Sequence, residues 1–201
     1  KKVINSLMSN LFQKLELEAF RAGINPRTQE SREWFRKRVQ RLTRVNREAL
    51  MRQDEITRRA SPTFGSMLMY FYDPKHKNKL PYYDRFPLTI PVEPAEGGFR
   101  GLNLHYLPPV LRAKFLDALL NVTNNKKYDD TTKFRLTYRL LKGARNMRYF
   151  KPCLKRYLLS HVRSRFAEVP APEWEIATFL PTAQWEKGTA GKVYQDSRKA
   201  I

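Results

Sequence analysis

Residues 88–106 read LTIPVEPAEGGFRGLNLHY and carry the clearest strand signal in the chain. Apolar and β-branched residues fill 88–92, the pair Gly97-Gly98 follows as a turn, and a second strand-like stretch occupies 101–106. This pattern is typical of antiparallel strands joined by a short connection. We therefore predict strands at 88–92 and 101–106.

A third strand is predicted just upstream, at residues 67–72, where MLMYFY combines aromatic and apolar residues. Asp73-Pro74 then begins a loop that carries Lys75, Lys77 and Lys79. Two or three short strands need another layer to cover their apolar face. We expect the flanking segments to supply that layer.

Helical spacing of apolar residues, ended by glycine or proline, predicts helices on both sides of this β module, at 3–22, 28–59, 110–122, 130–141 and 152–166. Residues 173–201 predict a packed irregular segment with a basic tail. We expect one domain over 1–201, made of N-terminal helices (1–60), a β module (66–107), basic helices (109–167) and an irregular C-terminal segment (168–201). The predicted fold class is α+β, mostly helical, with a small antiparallel sheet inserted between two helical sets.

The charge balance points to a polyanionic partner. The chain has 39 Lys and Arg against 19 Asp and Glu, a formal net charge of +20, and 41% hydrophobic residues. That hydrophobic content indicates a folded protein, and a charge of this size repels itself unless an acidic partner neutralises it. No apolar run approaches the ~18–20 residues that a membrane span needs, so no membrane partner is expected.

The basic residues are concentrated between Asp130 and Glu168, a stretch that contains no acidic residue. A solvated helical surface normally mixes both signs of charge, so this segment predicts a phosphate-binding surface. Its eleven basic residues are Lys133, Arg135, Arg139, Lys142, Arg145, Arg148, Lys151, Lys155, Arg156, Arg163 and Arg165. The interleaved aromatic residues favour core packing over base stacking, and they are Phe134, Tyr138, Tyr149, Phe150 and Tyr157.

A second basic surface is predicted on the helix over 28–59, where Arg41, Arg44 and Arg52 are the candidate contacts. Arginine far outnumbers lysine there, which favours bidentate contacts to phosphate or carboxylate. Acidic residues are mixed into this face, so an acidic protein partner and DNA both remain open.

No catalytic constellation is recognisable. The three histidines lack metal-ligand spacing, Cys153 is best explained as a buried thiol, and Gly-rich phosphate loops are missing. Asp73 and Asp84 lie in turn contexts where a capping role explains them, so a metal-dependent nuclease is disfavoured. We expect no enzyme activity, no metal and no cofactor.

Residues 69–88, MYFYDPKHKNKLPYYDRFPL, and 98–107, GFRGLNLHYL, resemble a segment of virion-associated proteins of large contractile-tailed phages, including the DNA end protector family of T-even-like phages, over about residues 66–107. The resemblance implies a virion component that binds packaged DNA or its ends without catalysis. It also implies other phage structural proteins as partners and the host cytoplasm as the site of assembly.

Two alternatives stay open. In the first, the protein is a connector, baseplate or neck component whose basic faces dock on acidic subunits. In the second, it binds RNA in a ribosome-like assembly. Nothing resembles a recognition helix with amide side chains for base readout, so specificity for DNA shape or ends is expected.

Overall fold

The computed structural model describes residues 11–26, 28–42, 44–53, 56–115, 139, 149–170 and 173–201. The described helices are α1 (Leu11–Arg21), α2 (Gln29–Val39), α3 (Arg47–Met51), α4 (Trp174–Phe179) and α5 (Ala190–Ala200), with residues 109–115 also helical. The strands are β1 (Thr57–Arg59), β2 (Met67–Met69), β3 (Tyr83–Asp84), β4 (Leu88–Ala95), β5 (Gly98–Asn103), β6 (Leu154–Leu158), β7 (Phe166–Val169) and β8 (Trp185–Glu186).

A six-stranded antiparallel sheet, in the order β1-β7-β2-β4-β5-β6, forms the frame of the molecule, and β3 pairs with β8 separately. The predicted hairpin is confirmed, with β4 running to Ala95 and β5 beginning at Gly98. The strand predicted over 101–106 ends at Asn103, however, because residues 104–106 form a 3-10 helix. Pro91 lies inside this paired region, and the register shifts between Pro91 and Glu93. The bulge accommodates a residue that cannot donate to the ladder.

The predicted fold class, α+β and mostly helical with a small sheet between two helical sets, is wrong. Residues 152–166 are not a helix, because β6 pairs with β5 and β7 pairs with β2 and β1. The helix predicted over 28–59 ends at Val39, and Asn46 begins the separate α3 by accepting the Ala49 N–H at 2.9 Å. The C-terminal segment is also more regular than expected, since α5 covers Ala190–Ala200.

The sheet is strongly coiled around an aromatic cluster. Tyr70 follows β2 and Tyr157 lies in β6, three strand positions away, yet their ring centroids are 5.7 Å apart. Three positions in a flat sheet span about 14 Å. Phe166 of β7 and Phe99 of β5 are likewise three positions apart, with ring centroids at 6.0 Å. The sheet therefore curls so that its concave face encloses these rings.

Helices cover the other face of the sheet and bury the main apolar core. Phe12 and Leu15 of α1, Phe35 of α2 and Ile176 of α4 pack in one cluster with residues of β2, β4 and β5. The Ser31 hydroxyl of α2 donates to the buried Glu175 carboxylate of α4 at 2.6 Å. Helices α1 and α2 thus belong to the core of the described structure, as the sequence pattern predicted for their apolar faces. The helix predicted over 130–141 lies outside the described residues, apart from Arg139, which is helical and exposed.

Candidate nucleic-acid interface

Residues 149–167 of the acid-free segment form strands, turns and a short 3-10 helix at Leu159–His161 rather than the predicted α-helix. Four of its basic side chains are exposed: Lys151, Arg156, Arg163 and Arg165. They lie at the surface as predicted, but strands and turns carry them instead of a helix. Arg139 is exposed as well. The other predicted contacts lie outside the described residues: Lys133, Arg135, Lys142, Arg145 and Arg148, together with Phe134 and Tyr138.

Lys155 is placed differently from the other basic residues of this segment. Its Nζ atom lies 4.1 Å from the centroid of the Tyr106 ring, and the residue is half-buried. Burial lowers the pKa of the Lys155 ammonium below its ordinary value, although the charge still interacts favourably with the ring face. This geometry favours a packing role for Lys155 over a phosphate contact.

The aromatic residues interleaved with these charges are largely core residues, as expected. Phe150 and Tyr157 are buried, and the Tyr157 ring stacks on Phe99 at 5.5 Å in the concave aromatic cluster. Tyr149 is half-buried. The described rings therefore contribute to stability, and neither Phe150 nor Tyr157 is available for base stacking.

Exposed arginines accompany the broken second helix. Arg41 and Arg44 lie in the connection between α2 and α3, and Arg52 caps the C-terminus of α3, each of them exposed. Arg47 turns inward instead, and its guanidinium donates to the carbonyl oxygens of Thr182 and Ala183 at 2.7 Å each. The predicted continuous arginine face is thus divided between the connection and the end of α3.

Asp84 and His105, which the sequence did not link, form a buried pair. The His105 Nδ1–H donates to Asp84 Oδ2 at 2.6 Å, and His105 Nε2 accepts from the Thr182 hydroxyl at 3.1 Å. Burial lowers the pKa of His105, with the charges of Arg112 and Arg47 adding to this effect against the opposing effect of Asp84. The ring is therefore neutral at pH 7, in the tautomer that these two hydrogen bonds require.

The Asp84 carboxylate accepts three further hydrogen bonds, from the Phe86 N–H at 3.0 Å, the Gln184 N–H at 2.9 Å and the Asn103 amide at 3.1 Å. Burial raises the pKa of Asp84, but interactions with His105 and these donors outweigh burial and leave the pKa below its ordinary value. The turn role expected for Asp84 is present in the Phe86 contact, and the carboxylate also joins β3, β5 and the segment before β8.

Cys153 is buried, as predicted, although it lies in a turn before β6 rather than in a helix. Burial raises the pKa of its thiol to about 12, so the thiolate needed for nucleophilic chemistry does not form near pH 7. Among the described residues, no group of three or more His, Cys, Asp and Glu side chains is positioned to hold a metal ion. Within the same residues, no helix is long and apolar enough to span a membrane.

Comparison with known families matches residues 1–199 to the phage T4 terminal DNA protecting protein family. The match covers nearly the whole chain, and the protein belongs to this family. The resemblance seen at residues 66–107 is thereby confirmed and extended to both ends. No curated protein and no solved structure matches the chain.

Proposed function

We propose that this protein binds the ends of the packaged phage genome, without cutting DNA, through phosphate contacts made by exposed basic side chains. The observation that carries the proposal is the family match over residues 1–199, because the family is described by its protection of terminal DNA. The net charge of +20 supplies the attraction that such a role requires.

The exposed basic side chains suit binding to the DNA backbone rather than to base edges. Lys151, Arg156, Arg163 and Arg165 are exposed on one segment of the chain, and Arg41, Arg44 and Arg52 are exposed on another. Arginine forks match phosphate oxygens, and such contacts hold DNA without reading its sequence. Preference for ends then comes from shape, in a virion that also contains other phage structural proteins.

A competition experiment tests this function. The purified chain is mixed with a linear duplex and a covalently closed circle of the same sequence. We expect the linear form to bind more tightly, and we expect binding to weaken at least about 10³-fold between about 50 mM and about 200 mM salt, as six or more phosphate contacts require. Equal affinity for the two forms would contradict end binding. No DNA binding at the lower salt would leave docking on acidic phage subunits as the remaining role for the charge.

A further inference from the structure

A short loop between β2 and β3, residues 73–80, carries three lysines and is firmly attached to the body of the protein. We call it the lysine loop. The Asp73 N–H donates to the carbonyl oxygen of His161 at 3.0 Å, and His161 Nδ1–H donates back to the carbonyl oxygen of Asp73 at 2.8 Å. Within the loop, the N–H groups of Lys79 and Leu80 both donate to the carbonyl oxygen of His76. These hydrogen bonds hold the loop backbone in one defined conformation.

Lys187, distant in sequence, holds the far side of the lysine loop. Its ammonium donates to the carbonyl oxygens of Lys77 and Asn78 at 3.2 Å and of Leu80 at 2.6 Å. These contacts use all three N–H donors of the side chain. Lys187 also has a φ of 62°, and no other non-glycine residue has a positive φ in the part of the chain that the structure describes. This left-handed conformation usually favours glycine, and the residue that stands here is the lysine whose ammonium holds the loop.

Positive charge dominates the surface around the lysine loop. Its six basic residues are Lys75, Lys77, Lys79, Arg85, Arg163 and Lys187, and its acidic residues are Asp73 and Glu186. Asp73 lies 2.9 Å from Lys77 Nζ and 3.9 Å from Arg163, and Glu186 lies 3.4 Å from Arg85. Lys75 and Lys79 are exposed, and neither pairs with an acidic side chain among the described residues.

The charges of Lys75 and Lys79 are the part of this cluster that no acidic side chain of the described residues balances. Charges on an exposed surface contribute little to stability, so folding alone does not account for Lys75 and Lys79. An ordered backbone holds several like charges at fixed positions, which reduces the entropy lost when they bind a polyanion. The surface also includes Arg163 from the acid-free segment, so two basic regions far apart in sequence meet at the lysine loop.

We infer that the lysine loop, held by Lys187, is a DNA-backbone contact surface in which Lys75 and Lys79 bind phosphates and Lys187 acts as a positioning residue. The inference rests on the proposed function and identifies one of the surfaces that perform it. The partner is duplex DNA, recognised through its phosphate charge.

The test compares the full chain with the double variant Lys75→Gln/Lys79→Gln. The matched control Lys14→Gln/Lys199→Gln removes two exposed lysines on α1 and α5 instead. Binding to linear duplex is measured over a range of salt concentrations. Each lost phosphate contact reduces the log–log salt slope by about 0.9, so the loop variant should flatten it by about 1.8 and weaken low-salt binding at least about tenfold. The control should change the slope by less than about 0.5.

A third variant, Lys187→Met, keeps an unbranched side chain at this position and removes the ammonium that donates to the loop carbonyls. We expect faster amide exchange at Lys79 and Leu80 and weaker DNA binding, with the lysine charges of the loop still present. Faster exchange with unchanged DNA affinity would overturn the positioning role of Lys187.

The outcomes separate the loop from the function as a whole. If the full chain binds DNA and the loop variant retains its salt slope, the loop assignment is wrong and end binding stands. If the full chain fails to bind DNA, both are wrong. A loop variant with normal DNA binding that fails to enter phage particles would assign the surface to an acidic protein and overturn the DNA assignment.

Discussion

Replacing Asp84 by Ala should destabilise the protein more than any change at its exposed charges. The carboxylate is buried and accepts hydrogen bonds from His105, Phe86, Gln184 and Asn103. Alanine leaves all of these donors without their acceptor, and a buried unpaired donor costs about 1–3 kcal/mol. Four donors lose their acceptor, and a cost of about 1 kcal/mol for each, the low end of that range, gives the total. We expect a loss of about 4 kcal/mol in the free energy of unfolding.

Asp84→Asn provides the graded comparison. The asparagine oxygen can still accept from the Phe86 and Gln184 N–H groups, and its amide can donate to His105 Nδ1 once the ring changes tautomer. The Asn103 amide then loses its acceptor, so this variant should lose about 1–2 kcal/mol. Because about 1 kcal/mol shifts the melting temperature of a chain of this size by about 2–4 °C, the two variants should melt about 8–16 °C and about 2–8 °C lower.

Urea and thermal unfolding at pH 7, followed by circular dichroism, measure both variants. Glu96→Gln serves as a control, since it neutralises a fully exposed carboxylate whose nearest described cation, Arg156, lies 4.0 Å away. The control should change stability by less than about 0.5 kcal/mol. A loss below about 1 kcal/mol for Asp84→Ala, or equal losses for the alanine and asparagine variants, would refute the account of a fully paired buried carboxylate.

Three further predictions concern pH, packing and the second basic surface. The pKa of His105 is lower in the folded protein than its ordinary value of about 6.5. The stability that its neutral form contributes is therefore complete above about pH 6.5 and is lost as the pH falls through the folded pKa. We expect His105→Gln to flatten the dependence of the unfolding free energy on pH below about pH 6.5, as measured by urea titrations. In Gly98→Ala, the new Cβ would lie 1.8 Å from the Tyr157 carbonyl oxygen, which forces β5 and β6 apart and should cost at least about 2–3 kcal/mol in thermal melts. On the second basic surface, Arg41, Arg44 and Arg52 are replaced together by glutamine. This variant should flatten the log–log salt slope of duplex binding by about 2–3 for every DNA sequence. An unchanged slope together with failed incorporation into particles would indicate a protein partner instead.

The sequence predicted the hairpin of β4 and β5 because its turn and its strand residues are local signals. It failed for β6 and β7, where Leu154, Tyr157 and Leu158 also fit helical spacing. The strand conformation of β6 depends on pairing with Gly98–Asn103, more than fifty residues away, which supplies hydrogen bonds and a place for Tyr157 in the aromatic cluster. The strand conformation of β7 depends in the same way on pairing with β1 and β2. Tertiary pairing therefore overrides the local pattern.

The candidate surface was likewise predictable from the sequence only in part. The charge gap between Asp130 and Glu168 is visible in the sequence, and the exposed positions of Arg156, Arg163 and Arg165 agree with that part of the prediction. The link between Lys187 and the lysine loop is not visible, because it arises from β8 pairing with β3. Lys155 shows the opposite case, since its sequence neighbours suggest a surface charge and its strand position directs the ammonium onto Tyr106.

Protection of a DNA end from an added exonuclease tests the central claim most directly. An end-labelled linear duplex is saturated with the purified protein and treated with an exonuclease, beside a variant that exchanges Arg156, Arg163 and Arg165 for Gln. We predict that the full chain preserves the label, that the triple variant preserves it only at higher protein concentration, and that the DNA remains uncut when Mg²⁺ is present. Loss of the label at the rate of free DNA, under conditions where the protein is bound, would contradict the account.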